Sequence, residues 1–161
     1  MIVYHDGKPT NRKPRDVRAV YFDMDGTIAD LYRPMDWLER LVRGDESLYA
    51  DAAPMLDLRQ LMDVLKAVHV HVGVVSWLAK NSNRAFDRRV RDAKEKWLVS
   101  NFPIASEIHI IKHGTRKRYA AKLDGVLIDD ELANCIEWSK GGRWAVNVSC
   151  GNDVLEFVKR I

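Results

Sequence analysis

Hydrophobic and polar positions along the 161-residue chain switch repeatedly between a period near two and a period near 3.6. Short runs rich in β-branched and aromatic residues predict five strands, over residues 17–23, 70–76, 107–111, 125–129 and 144–148. Helical spacing fills the gaps between them. Leu58, Leu61, Met62 and Leu65 share one face of a helix expected over 55–67, and Phe86, Val90, Ala93 and Trp97 share one face of the next. The latter carries Arg84, Arg88, Arg89, Arg91, Lys94 and Lys96 against Asp87, Asp92 and Glu95, which reads as a solvated outer face with i,i+4 pairs. A short helix is expected over 116–122. A last one starts at Asn152 or Asp153 and runs through Leu155, Phe157 and Val158 to the C-terminus.

Strands alternating with helices predict an α/β fold, a Rossmann-like doubly wound sheet of about five parallel strands with helices on both faces. The length fits one domain, 1–161, with a sizeable core. Two stretches fall outside this alternation. Residues 1–16, with Pro9, Pro14, Lys8, Arg12, Lys13 and Arg15, read as a mobile arm. Residues 28–54, between the first strand and the first long helix, leave room for a small insertion only. There Trp37, Leu38, Leu41 and Val42 recur at helical spacing and are expected to pack onto the body.

Composition narrows the classes. No apolar run approaches the ~20 residues that span a bilayer, and the first residues lack the charged start and apolar core of a secretory signal, so a cytoplasmic protein without membrane contact is expected. Cys135 and Cys150 are the only cysteines and have no zinc-ligand spacing, which predicts reduced packing thiols. A net charge of +3, spread along the chain, does not by itself make a nucleic-acid binder. His69 and His71, and His109 and His113, are expected in core or rim packing rather than on a metal. No obligate protein partner is expected.

The chemistry is concentrated at strand ends. The apolar run Ala19-Val20-Tyr21-Phe22 stops at Asp23-Met24-Asp25-Gly26-Thr27, two carboxylates one residue apart. The second strand ends at Ser76, and the fourth at the adjacent acids Asp129 and Asp130. Lys117 follows Gly114-Thr115 between the third and fourth strands, with Lys112 and Lys122 as competing candidates. In a doubly wound sheet these ends share one edge, where ligands gather. Four carboxylates, a hydroxyl and an ammonium there fit a Mg²⁺-phosphate site: carboxylate oxygens suit Mg²⁺, while Ser76 and Lys117 can hold phosphoryl oxygens.

Phe22-Asp23-Met24-Asp25-Gly26-Thr27, Ser76, Lys117 and Leu127-Ile128-Asp129-Asp130 resemble motifs I to IV of the haloacid dehalogenase-like hydrolase superfamily, in that superfamily's order. Gly114-Thr115-Arg116-Lys117, followed twelve residues later by Asp129, is similar to its compact stand-alone members and favours Lys117. The resemblance implies strand order 5-4-1-2-3, a very small cap at 28–54, and Mg²⁺ held by Asp23, the main-chain carbonyl of Asp25 and Asp129 or Asp130. It implies further that Asp23 attacks phosphorus to form an aspartyl-phosphate while Asp25 serves as acid and then base. A phosphomonoester hydrolase follows, acting on a phosphorylated small molecule such as a nucleotide, or on a nucleic-acid phosphate end. The Asp-Asp form of motif IV resembles that of nucleotidases and of the phosphatase domain of polynucleotide kinase. The basic residues Lys8, Arg12, Lys13 and Arg15 are then expected to assist with oligonucleotides, and Trp77 to stack on substrate. Alternatives are a sugar-phosphate phosphatase or phosphomutase and, outside catalysis, a nucleotide or phosphate-end binding module. A phospho-accepting signalling receiver uses similar residues but in another chain order.

Overall fold

The structure, a computed structural model, describes residues 1–55 and 57–148. The helix expected from Asn152 or Asp153, and Cys150, lie outside the described residues. In chain order the strands are β1 (Ile2–His5), β2 (Lys8–Thr10), β3 (Ala19–Phe22), β4 (Ala29–Asp30), β5 (Ala53–Pro54), β6 (His71–Trp77), β7 (Glu107–Ile111), β8 (Val126–Asp129) and β9 (Trp144–Asn147). The helices are α1 (Trp37–Arg43), α2 (Ser47–Ala50), α3 (Leu58–Ala67), α4 (Arg84–Asn101) and α5 (Leu132–Ser139).

The main sheet has seven strands in the order β2-β1-β9-β8-β3-β6-β7. Its five members from β9 to β7 pair in parallel, as continuous apolar strands covered on both faces should. The other two come from a correction to the reading of residues 1–16. Rather than a mobile arm, residues 2–10 of this segment form the β1-β2 hairpin, and β1 pairs antiparallel with β9 through Val3↔Val146 and Tyr4↔Ala145. Asp6 and Gly7 turn the hairpin at φ 50° and 75°, a conformation that Asp tolerates and Gly favours. Tyr4 supplies the buried anchor that two short strands, one of them carrying Pro9, otherwise lack.

Side-chain alternation divides the core between the two faces. Val20, Phe22, Val72, Val74 and Ile128 pack beneath Leu61 and Leu65 of α3 and Val90 and Trp97 of α4. Ala19, Tyr21, Val75 and Leu127 face the other way, onto Cys135 and Trp138 of α5. Cys135 is a free, buried thiol. Gly73 is required by Tyr21, whose ring occupies the space that a Cβ at 73 would take. The Tyr21 hydroxyl in turn accepts from Leu123 N at 3.0 Å.

Residues 28–54 form the small insertion: the two-stranded β4-β5 ribbon closes a loop bearing α1 and α2. Only part of the apolar pattern on α1 faces inward. Trp37 and Leu41 pack against the core, whereas Leu38 is 55% and Val42 79% exposed, which corrects the expectation that all four pack on the body. The helix expected over 116–122 is a single 3₁₀ turn, Lys117–Tyr119. No helix among the described residues is long and apolar enough to cross a membrane.

Candidate metal and phosphoryl site

Parallel strands deliver their C-terminal ends to one sheet edge, and the polar residues that end β3, β6 and β8 meet there. Asp23 follows the last residue of β3, and its N–H still pairs with Ile128 O at 2.9 Å, so its position is set by the β3-β8 ladder. Its Oδ1 lies 2.7 Å from the Lys117 Nζ. The same ammonium lies 2.7 Å from Asp129 Oδ2 and 5.0 Å from the centre of the Trp77 ring. Lys117 is almost fully buried. Burial works against its charge, but Asp23 and Asp129 outweigh that cost and raise its pKa.

The two adjacent acids have different surroundings. Asp129, at the end of β8, is fully enclosed: besides Lys117 it accepts from Glu131 N at 2.8 Å and from Asn134 Nδ2 at 3.1 Å. Burial pushes its carboxyl up to about 6, against the pull of Lys117. Asp130 lines the cleft, and its side-chain partner among the described residues is the Thr27 hydroxyl, at 3.2 Å. Burial, then the charges of Asp23 and Asp129, push Asp130 up to about 7. Asn147, on the neighbouring strand β9, fixes the turn by donating to the main-chain oxygens of Asp129 at 3.2 Å and Asp130 at 2.8 Å.

Asp25 belongs to a second cluster. Its Oδ2 lies 2.6 Å from the Nζ of Lys94, a fully buried lysine of α4 that also donates to Ser76 Oγ at 3.0 Å and to Trp77 O at 2.7 Å. The Lys94 charge sits 4.7 Å from the centre of the Tyr49 ring. Desolvation raises the Asp25 carboxyl pKa, with Lys94 opposing. The two acids of the Asp-x-Asp pair are therefore held by different lysines, Asp23 by Lys117 and Asp25 by Lys94.

Lys94 was misassigned by the sequence pattern, which put it on the solvated face of its helix. The signal that finds it is positional: it stands four residues after Val90 and four before Leu98, inside the buried stripe of α4. Asn134 and Asn147 were also missed. Asn134 falls in the first turn of α5, four residues after Asp130, where a helical side chain can reach back to the preceding strand end.

Asp23, Asp129 and Asp130 each offer a carboxylate oxygen within 4.8 Å of the others. An all-oxygen donor set of this kind fits a hard cation such as Mg²⁺ rather than zinc. Charge points the same way, because four carboxyl groups (Asp23, Asp25, Asp129, Asp130) meet only two ammonium groups (Lys94, Lys117), and their crowding raises Asp130, which a cation would relieve. Between the two acids after β8, Asp129 has its oxygens occupied by Lys117, Glu131 and Asn134, so Asp130 is the better placed ligand. The Asp25 carboxylate lies outside the group, which leaves its main chain as the only part of Asp25 available for that role.

A cleft of about 230 Å³ opens beside these residues, lined by Asp23, Asp25, Lys117 and Asp130 together with Tyr32, Trp37, Tyr49 and Trp77. Trp77 is anchored rather than free: its Nε1 donates to Thr115 O at 2.8 Å and its ring lies 4.8 Å from that of His113. It thereby braces the loop that carries Lys117. Tyr32 and Trp37 meet edge to face at 5.0 Å where the small insertion borders the cleft. Ser76 is fully buried behind the cleft, on Lys94. His71 and His109 flank Glu107 on the sheet, their Nε2 atoms 3.7 and 3.5 Å from its oxygens, away from the acidic cluster. The basic residues Arg12, Lys13 and Arg15 group with His5 and Trp144, at the start of β9 and hence at the opposite strand ends from Asp23. Compared with models of known protein families the chain matches none, and no curated protein matches it.

Proposed function

We propose that this chain is a Mg²⁺-dependent phosphomonoester hydrolase of the haloacid dehalogenase-like type, working through an aspartyl-phosphate at Asp23. The observation that carries the reading is the split of the Asp-x-Asp pair: Asp23 is paired to Lys117 beside Asp130, while Asp25 is clamped separately by Lys94. The order of the five parallel strands, β9-β8-β3-β6-β7, agrees with the order that the sequence resemblance implies.

Each residue then has a task that its surroundings suit. Asp23 and Asp130, with the main chain of Asp25, would hold Mg²⁺. The cation supplies neutralisation of phosphoryl charge and orientation of the phosphate. Lys117 orients the Asp23 carboxyl as the nucleophile and offers its ammonium to a phosphoryl oxygen. Attack by an Asp23 oxygen on phosphorus forms the acyl-phosphate and expels the ester oxygen. Asp25 gives that oxygen its proton and afterwards takes one from the water that cleaves the acyl-phosphate, which returns Asp23 as a carboxylate and releases phosphate.

The aromatic rings of Tyr32 and Trp37 at the cleft favour an ester whose leaving group is flat, a nucleotide or a nucleic-acid phosphate end, over a sugar phosphate. The test is phosphate release from a mononucleotide, phosphorylated oligonucleotides, sugar phosphates and an aryl phosphate, with and without Mg²⁺ and chelator. Mg²⁺-dependent release that is reversible on chelation, and lost in Asp23→Asn with the fold retained, is the expected result. Stoichiometric zinc with activity that survives magnesium depletion, or no release from any ester, contradicts the reading.

A further inference from the structure

Lys94 is the residue with the most specific surroundings that the phosphoryl chemistry above does not yet use. An ammonium has three N–H donors, and all three of Lys94 are engaged: by Asp25 Oδ2, Ser76 Oγ and Trp77 O. It is fully buried and therefore touches no substrate. Enclosing a cation is costly unless its partners repay it, so this lysine is tolerated for what it holds in place. What it holds is one half of a carboxylate. Asp25 Oδ2 is clamped, whereas Asp25 Oδ1 is buried beside the cleft with no hydrogen-bond partner among the described residues.

We infer that Lys94 is a positioning residue for the leaving-group step: by fixing Asp25 Oδ2 it keeps the Asp25 carboxyl out of the cation cluster and at the wall of the cleft, with Oδ1 uncommitted to any other partner. This rests on the phosphatase reading above. Two further contacts fit the role. Ser76 Oγ accepts from Lys94, so the Ser76 proton is directed away from the lysine and stays available to another acceptor. The Tyr49 ring, on α2 of the small insertion, lies against the same ammonium, so the insertion and the acid rest on one fixed point.

The contact sets what the lysine's removal does. Lys94→Met keeps the apolar stem and deletes the three donors; Lys94→Gln keeps a donor that can still reach Asp25. A misplaced acid slows departure of a poor leaving group and hardly affects a good one. In Lys94→Met the kcat/KM for an alkyl phosphate, which reports the steps up to departure of the leaving group, is therefore expected to fall about 100-fold, and that for an activated aryl phosphate no more than about threefold, whereas the shared cleavage of the acyl-phosphate lowers kcat for both. The Mg²⁺ concentration for half-maximal activity stays close to wild type, and Lys94→Gln recovers part of the alkyl kcat/KM. A purely structural role would lower both substrates together, in step with the folded fraction.

The experiment is a two-substrate, double-mutant comparison of wild type, Lys94→Met, Lys94→Gln, Asp25→Asn and the Lys94→Met/Asp25→Asn double variant, with thermal melting of each. In the double variant neither buried charge is left without its partner, so it remains informative if Lys94→Met alone does not fold. Expected is an alkyl-selective loss in Lys94→Met, with no further loss on adding Lys94→Met to Asp25→Asn. Equal losses of kcat/KM on both esters in folded protein, or additive losses in the double variant, overturn the assignment while leaving the phosphatase reading standing. Wild-type protein that turns over neither ester overturns that reading, and the role of Lys94 with it.

Discussion

Thr27 and Asp130, 103 residues apart in sequence, exchange two hydrogen bonds: the Thr27 hydroxyl donates to Asp130 Oδ1 at 3.2 Å and accepts from Asp130 N at 3.1 Å. The pair joins the loop after β3 to the turn after β8, so the position of one candidate metal ligand depends on the loop that bears the others. Thr27 is fully buried. Thr27→Val keeps the shape and removes both bonds, stranding the Asp130 N–H at a cost of about 1–3 kcal/mol. The Mg²⁺ requirement is expected to rise several-fold in Thr27→Val and to return in Thr27→Ser, as read from magnesium titrations of activity and from melting curves.

Gly26 provides a test of the same loop's geometry. At φ 77° it adopts a conformation that disfavours other residues, and a methyl there would collide with Asp130 Oδ2 and the Tyr32 ring. Gly114 has a similar φ of 81° but open space around it. Alanine at either position is expected to cost roughly 1 kcal/mol in backbone strain. Only Gly26→Ala should lose phosphatase activity, so melting temperature and activity measured on both variants separate strain from displacement of Asp130.

The pH dependence of cation binding follows from Asp130. Its carboxyl is raised from 3.8 to about 7, so between those values the folded protein holds a proton that the unfolded chain has released. Without a cation, stability therefore declines as pH rises through that window, and Asp129, raised to about 6, acts in the same direction. A cation bound by Asp130 must displace the proton. Apparent Mg²⁺ affinity is expected to strengthen about tenfold from about pH 6 to about pH 8, a slope that calorimetric titration reads directly.

The N-terminal segment bears on substrate reach. Arg12 and Lys13 were expected to contact an oligonucleotide, but they lie at the strand ends remote from Asp23. Replacing both with Ser is expected to leave turnover of a short phosphorylated oligonucleotide, and its salt dependence, unchanged. A flattened salt dependence would show that the nucleic acid wraps around the sheet.

Much of this architecture is legible in the chain because burial on both faces makes parallel strands read as apolar runs: Val20-Tyr21-Phe22 and Val126-Leu127-Ile128 could be placed from composition alone, and so could the acids that end them. The β1-β2 hairpin was not legible. Its strands are short, Pro9 breaks the pattern, and the partner that stabilises it, β9, lies far along the chain. Lys94 was hidden by its neighbours, since Arg91, Asp92, Glu95 and Lys96 make the local charge pattern that of a solvated face and only its tertiary partners, Asp25 and Ser76, explain its burial. Asn134 and Asn147 likewise act by reaching a turn that other elements build.

The central claim is that Asp23 carries the phosphoryl group during turnover. Acid quenching during steady-state hydrolysis of an aryl phosphate in Mg²⁺, followed by peptide mass spectrometry, tests it most directly, because acyl-phosphates survive in acid long enough to be mapped. The account predicts one phosphoryl group on the peptide containing Asp23, absent from Asp23→Asn and depleted when substrate is exhausted. Sustained Mg²⁺-dependent hydrolysis with no adduct on that peptide, or an undiminished rate in Asp23→Asn, would contradict it.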